Sequence, residues 1–243
     1  MKIIAVIPAR YAATRFPGKL MQLLGGKTVI AHTYEATRGS GLFDEVLVAT
    51  DSDIIAEEIG ALGGSVFRSQ QEHESGSDRI AEAIKDRDVD VIVNVQGDTP
   101  FVQAEPLRKL IALFDDTSVQ VASLMDVIGD EASLHDPNVV KVVVDKHNNS
   151  LLFSRSVIPF PRNSDISISH YRHIGVYAYR KDTLLQFTQW PITPLEDAEK
   201  IECLRYLENG VQLRMALTPP MGIDINTPED LERAQAHISK EGF

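Results

Sequence analysis

The chain has 243 residues, 43% of them hydrophobic and 24% charged, which supplies a folded core and excludes a disordered or fibrous chain. Its 24 basic and 35 acidic residues leave a formal charge of −11, which argues against a nucleic-acid binder with a broad phosphate-neutralising face. A single cysteine, Cys203, excludes an internal disulfide and a cysteine zinc knuckle.

In chain order, Ile3–Ile7 reads as a buried strand and Thr28–Arg38 as a helix. Glu45–Thr50 is a second strand. A helix over Asp53–Leu62 follows, with Ser52 or Asp53 as its cap and Gly63-Gly64 as its stop. Ser65–Arg68 is a short strand, Asp78–Asp86 a helix, and Val89–Val95 the strongest strand pattern in the chain. Continuous apolar runs of this kind suit strands covered on both faces, and their alternation with helices predicts an α/β sandwich with a mostly parallel sheet.

The pattern then changes. Val119–Met125, Val139–Val144, Ser150–Phe153 and Ile174–Tyr179 are strand-like, with a turn at His147-Asn148-Asn149 and a polar loop over Pro159–Ser169. Helices return at Leu195–Leu207 and at Pro228–Ile238, the latter with Thr227 as cap and Pro228 in its first turn. No repeat or linker divides the chain. It reads as one domain, residues 1–243, with a β-rich elaboration over about 119–180. The apolar stretch before Pro8 and Arg10 is too short for a secretory leader, and no run approaches the roughly 18 apolar residues that span a membrane. A soluble cytoplasmic protein is the expectation.

Ligands of open parallel sheets bind beyond the carboxyl ends of the strands. Four segments therefore matter: Pro8–Lys19, Asp51, Gln96–Pro100 and the residues before Thr227. The first places Arg10, Arg15 and Lys19 within ten residues of an acidic protein, among small residues and Gly18. It lacks the spacing of a Walker A loop. A solvated basic loop explains it on composition alone, and its place after the first strand favours a polyphosphate cradle. Asp98, after Gln96 and Gly97, is a natural ligand for magnesium carried by a nucleotide, or simply the cap of the next helix. Asp224 and Asn226 would project from one face of an extended segment and could supply further oxygen ligands. Ser75-Gly76-Ser77-Asp78-Arg79 suits a base edge or a helix cap equally. His173, Gly175, Tyr177 and Tyr179 share a strand face, where a lone histidine is more often structural. On the Leu195–Leu207 helix, Glu199, Glu202 and Cys203 fall within one turn.

The order of these strings is more specific than any one of them. Ile-Pro-Ala-Arg-Tyr (7–11), Arg-Phe-Pro-Gly-Lys (15–19), Val-Ala-Thr-Asp (48–51), Ser-Gly-Ser-Asp-Arg (75–79) and Val-Asn-Val-Gln-Gly-Asp (93–98) come first. Asn-x-Val-Lys-Val-Val (138–143), Phe-Ser-Arg (153–155), Arg-His-Ile-Gly-Val-Tyr (172–177) and Thr-Pro-Glu-Asp-Leu-Glu (227–232) follow. The whole chain resembles the 3-deoxy-manno-octulosonate cytidylyltransferase family. The resemblance implies a Rossmann-like nucleotidyltransferase fold, a three-layer sandwich whose β-rich elaboration joins a homodimer. It implies CMP transfer from CTP to an eight-carbon sugar acid in lipopolysaccharide biosynthesis, with Mg²⁺ as cofactor and no nucleic-acid or membrane partner.

By the family pattern, Pro8, Ala9, Arg10 and Lys19 would line the phosphates, and Ser75, Gly76 and Arg79 the cytidine. Gln96 and Asp98 would stand where nucleotide meets sugar. Arg155, His173, Tyr177, Glu202 and Cys203 would face the sugar. Asp98, Lys19 and Arg10 would carry catalysis, and Asp98, Asp224 and Asn226 the metal. The chain departs from the pattern at Thr99 (usually Glu), Leu20 (usually Pro), Asn226 (usually Asp) and Cys203 (usually Gln). Cys203 removes an amide from the sugar side, so the 8-amino-3,8-dideoxy sugar is an alternative substrate. CMP-sialate synthesis and a nucleotide-binding module without chemistry rank lower.

Overall fold

The computed structural model describes residues 1–12, 16–73, 75–163 and 165–241. They form two compact units, residues 1–107 with 221–243, and residues 108–220.

The first unit opens with β1 (Ile3–Ala9), whose residues Ile3–Ile7 are all buried. A small hairpin of β2 (Leu23–Leu24) and β3 (Lys27–Thr28) leads to α1 (Val29–Gly39), capped by the Thr28 hydroxyl, which accepts from Ala31 N–H at 3.2 Å. Then come β4 (Glu45–Thr50), α2 (Asp53–Ala61), β5 (Ser65–Arg68), α3 (Gly76–Ile84), β6 (Val91–Asn94) and α4 (Ala104–Ala112), whose residues 108–112 belong to the second unit. β6, β1, β4 and β5 are neighbours in that order and all parallel. The near-complete burial of β1 and the full burial of β6 fit the expectation of strands covered on both faces. Parallel strands end at one edge of the sheet, so Ala9, Thr50, Arg68 and Asn94 deliver their following loops to the same side.

The second unit holds β7 (Val121–Val127), α5 (Glu131–His135), β8 (Lys141–Val144), β9 (Ser150–Ser154), β10 (Tyr171–Arg180), α6 (Lys181–Phe187), α7 (Pro194–Glu199), α8 (Leu204–Glu208) and β11 (Leu213–Leu217). β7 pairs with β11 in parallel and with β10 antiparallel; β8 is antiparallel to both β10 and β9. The turn at Asn148 has a left-handed backbone (φ 60°), where asparagine is tolerated. The chain then returns to the first unit and ends in α9 (Pro228–Glu241).

One predicted element is corrected. The helix expected over Leu195–Leu207 is two short helices, broken at Lys200, which turns left-handed (φ 52°). The cause is Arg155. Its guanidinium donates to the Glu199 carbonyl (2.6 Å) and the Lys200 carbonyl (3.3 Å), main-chain acceptors a continuing helix would use itself. The halves are joined by the buried Glu196–Arg205 ion pair (2.5 Å), with the Arg205 guanidinium over the Phe187 ring. Glu199, Glu202 and Cys203 therefore do not share one helical turn.

Candidate functional site

In the first unit, β1 delivers Pro8, half-buried, Ala9, buried, and Arg10, exposed. Gly18 is left-handed (φ 66°), a conformation that favours glycine, and its N–H donates to the Tyr11 carbonyl (3.1 Å). This turn sends Lys19 inward. Its ammonium pairs with the Asp98 carboxylate and also donates to the Asn226 side-chain oxygen (3.4 Å). Arg15 lies outside the described residues.

Gly97 sets Asp98 close to the first loop, since a Cβ there would stand 3.2 Å from the Pro8 carbonyl oxygen. The Gly97 carbonyl accepts from the buried Thr33 hydroxyl (3.0 Å), and the Asp98 carbonyl from Ile225 N–H (2.9 Å). That last bond lays the 224–226 segment beside Asp98. Ile225 is wholly buried between exposed Asp224 and half-buried Asn226, the alternation expected of an extended segment. The Asn226 and Thr227 N–H groups both donate to Asp230 (2.9 Å each), anchoring the segment to the first turn of α9. Gln96 is half-buried, its amide donating to Asn94 (3.1 Å). Thr99 is buried.

Ser75 caps α3 in a reciprocal arrangement with Asp78, as the simpler reading of that string expected. Arg79 is 5% exposed, too enclosed to be a surface cation. It pairs with Asp51 at the end of β4 (2.8 Å) and donates to Ser69 just beyond β5 (3.1 Å). The same loop is pinned by Glu82, which accepts from Gln70 N–H (2.9 Å) and bonds His73 (2.6 Å). Burial pushes the Glu82 carboxyl up, but these bonds outweigh it and hold its pKa below the usual range.

The second unit gathers neutral groups. The β10 ladder with β7 has a bulge between Ile174 and Tyr177. His173 and Tyr177 lie on either side of it with ring centroids 5.3 Å apart, and Phe153 meets His173 edge-on at 4.9 Å. Burial pushes His173 down to about 4, so its imidazole is neutral at physiological pH. The Tyr177 hydroxyl is hydrogen-bonded to the Cys203 thiol, and burial raises both above their ordinary values. His173, Tyr177 and Cys203 are thus brought together, with Glu202 half-buried beside Cys203 in sequence.

Arg155 stands differently. Beyond Glu199 and Lys200 it donates to the Pro137 carbonyl (2.7 Å), which leaves a second N–H on each Nη atom. Its own N–H and the Ser154 hydroxyl donate to the Glu199 carboxylate (3.0 and 2.6 Å). Lys141, fully buried, donates to the carbonyls of Asp136, Val139 and Arg155, each at 2.8 Å. Sequence reasoning missed the roles of Lys141, Asp51 and Glu82, because each acts through main-chain or long-range partners that no local string displays.

Among the described residues no three His, Cys, Asp or Glu side chains cluster as a ready-made metal cage. The donor set of Asp98 and Asn226 nevertheless fits magnesium. Two side-chain oxygens converge on one cation, the Lys19 ammonium, and Mg²⁺ typically takes one or two carboxylates and completes its shell with phosphate and water oxygens.

A profile of the cytidylyltransferase family matches residues 4–215. The 3-deoxy-manno-octulosonate cytidylyltransferase of Flavobacterium johnsoniae is 56% identical over 98% of this chain and 99% of its own length. That of Christiangramia forsetii is 50% identical over 98% and 97%. A solved structure of CMP:2-keto-3-deoxy-manno-octonic acid synthetase in complex with CTP superposes with a TM-score of 0.95 and 36% identity, covering 99% of this chain and all of that one.

Proposed function

The chain belongs to the cytidylyltransferase family, and from that premise we propose that it transfers CMP from CTP to 3-deoxy-manno-octulosonate (Kdo) with release of pyrophosphate, a step of lipopolysaccharide biosynthesis. The carrying observation is the end-to-end match at 56% identity, which runs through both units rather than through a nucleotide motif alone. The relatives described above bear the Kdo name, which sets aside the 8-amino sugar, sialate and a module without chemistry.

The anomeric oxygen of Kdo bonds to the α-phosphorus of CTP as the bond to pyrophosphate breaks. Such a transfer depends on positioning and charge neutralisation more than on covalent help from the protein. We assign Arg10 and Lys19 to the triphosphate, with the main chain of Pro8 and Ala9 beside it. An ammonium has three donors, and two of those of Lys19 are taken by Asp98 and Asn226, leaving one for a phosphate oxygen. Ser75 and Gly76 face the cytidine on a loop held by Arg79 and Glu82. Gln96 lies at the junction. His173, Tyr177, Glu202 and Cys203 face the sugar, and the remaining N–H groups of Arg155 are directed to its carboxylate. Asp98 and Asn226, with Asp224 beside them, would hold magnesium. When bound, that ion neutralises phosphate charge and acidifies a nearby hydroxyl.

Among the described residues no helix is long and apolar enough to cross a membrane, and we assign the enzyme to the cytoplasm. A homodimer through the second unit is supported by its exposed apolar side chains, among them Leu151, Ile166 and Phe160, the last 81% exposed. The test is pyrophosphate release by purified protein. Release should require CTP, magnesium and Kdo together and exceed that with N-acetylneuraminate or the 8-amino sugar. Absence of release with Kdo overturns the reading.

A further inference from the structure

Ser123 lies on β7 opposite Tyr177, at the bulge in β10, and is fully buried. Its Oγ is 3.0 Å from the Ile174 carbonyl oxygen, 2.9 Å from that of Val176 and 3.0 Å from His173 Nε2. A hydroxyl has one hydrogen and two lone pairs, and a carbonyl can only accept. The single hydrogen of Ser123 is therefore directed at the two carbonyls that the bulge leaves beside it. What remains toward His173 is a lone pair, so the proton on that contact belongs to Nε2.

We propose that Ser123 holds His173 as the Nε2–H tautomer, leaving Nδ1 as a bare acceptor that takes a hydrogen bond from a hydroxyl of the sugar acid. The inference rests on the reading of His173 as a sugar-facing residue and says what it recognises. A neutral acceptor excludes the sugar carboxylate as its partner, since both offer only lone pairs, and selects a hydroxyl instead. The carboxylate is left to cations such as Arg155. The edge contacts with Phe153 and Tyr177 hold the ring plane, and the low pKa of His173 keeps it neutral. Ser123 is thus a positioning residue, acting through His173.

The test is ¹⁵N NMR of protein labelled at the histidine ring nitrogens, with His173→Gln assigning the signal. At neutral pH the wild type should show a protonated Nε2 and an unprotonated Nδ1. Kdo added with CDP and magnesium should shift the Nδ1 resonance. Ser123→Ala should mix the two tautomers and raise the KM for Kdo about threefold to tenfold, the scale of one hydrogen bond. The KM for CTP should stay unchanged, and Ser123→Thr should restore the wild-type spectrum. A wild-type Nδ1–H tautomer overturns the proposal even if Ser123→Ala does not fold. So does a folded Ser123→Ala variant with the wild-type spectrum. A correct tautomer whose Nδ1 ignores Kdo overturns instead the placement of His173 beside the sugar.

Discussion

The two units use opposite chemistry. In the first, the candidate groups are charges at the carboxyl edge of a parallel sheet: Lys19 against Asp98, and Arg79 against Asp51. In the second, the groups that converge are neutral and enclosed: His173, Tyr177 and Cys203. The cations there, Lys141 and Arg155, are largely committed to main-chain carbonyls. A triphosphate carries dense charge, and cations whose carboxylate partners can be exchanged for phosphate suit it. A sugar is distinguished by where its hydroxyls point, and rigid donors and acceptors of fixed polarity suit that. The difference also resolves the net charge of −11, because local placement of cations decides anion binding where total charge does not.

The largest expected effect tests the charged unit. Asp98→Asn keeps the shape but removes the carboxylate, and should lower kcat by about a thousandfold or more with little change in melting temperature. Near-normal turnover would remove Asp98 from the chemistry. On the neutral side, Lys141→Met strips the donor from three carbonyls at a fully buried site and should cost about 3 kcal/mol of stability in urea titrations. A loss below about 1 kcal/mol would show those carbonyls to be satisfied otherwise.

Acid sharpens the contrast further. His173 titrates near 6.5 when unfolded and near 4 when folded, so the unfolded state binds the extra proton first as pH falls. Its contribution is fully present above pH 6.5 and is lost progressively down to pH 4, about 2.5 kcal/mol by roughly pH 4.5. Comparing the wild type with His173→Gln across that window should isolate this share of the acid sensitivity; equal slopes would refute it. The smallest effect belongs to Arg79→Lys. It keeps the charge but loses the fork that joins Asp51 and Ser69, and should raise the KM for CTP by about fivefold while leaving that for Kdo unchanged. A change in the Kdo value alone would place Arg79 in the wrong half of the reaction.

Much of the first unit was legible because its information is local. β4 and β5 begin and end where their apolar runs do, and Thr28, Ser52 and Ser75 cap the helices they precede. Convergence of the first loop with Gln96–Pro100 and residues 224–226 followed from the edge rule for parallel sheets. The second unit was legible as strands but not as a network. Its strand runs were visible, yet the bulge beside Ser123 and the burial of Lys141 depend on residues tens of positions away. Cys203 also changed meaning. As a departure from the family pattern it pointed to another sugar, whereas in the structure it is a buried partner of the Tyr177 hydroxyl.

By itself the sequence determined the α/β class, the family and the charged residues that we assign to the nucleotide, since apolar periodicity, caps and ordered motifs are written along the chain. Tertiary structure decided which of those residues are spoken for. Arg79 became a tie between strand ends, Arg155 ended a helix that periodicity would continue, and Ser123 came to fix the proton on His173. The physical reason is common to all three. A buried hydrogen-bonding group must find a partner, and which partner it finds depends on what the fold brings within about 3 Å of it.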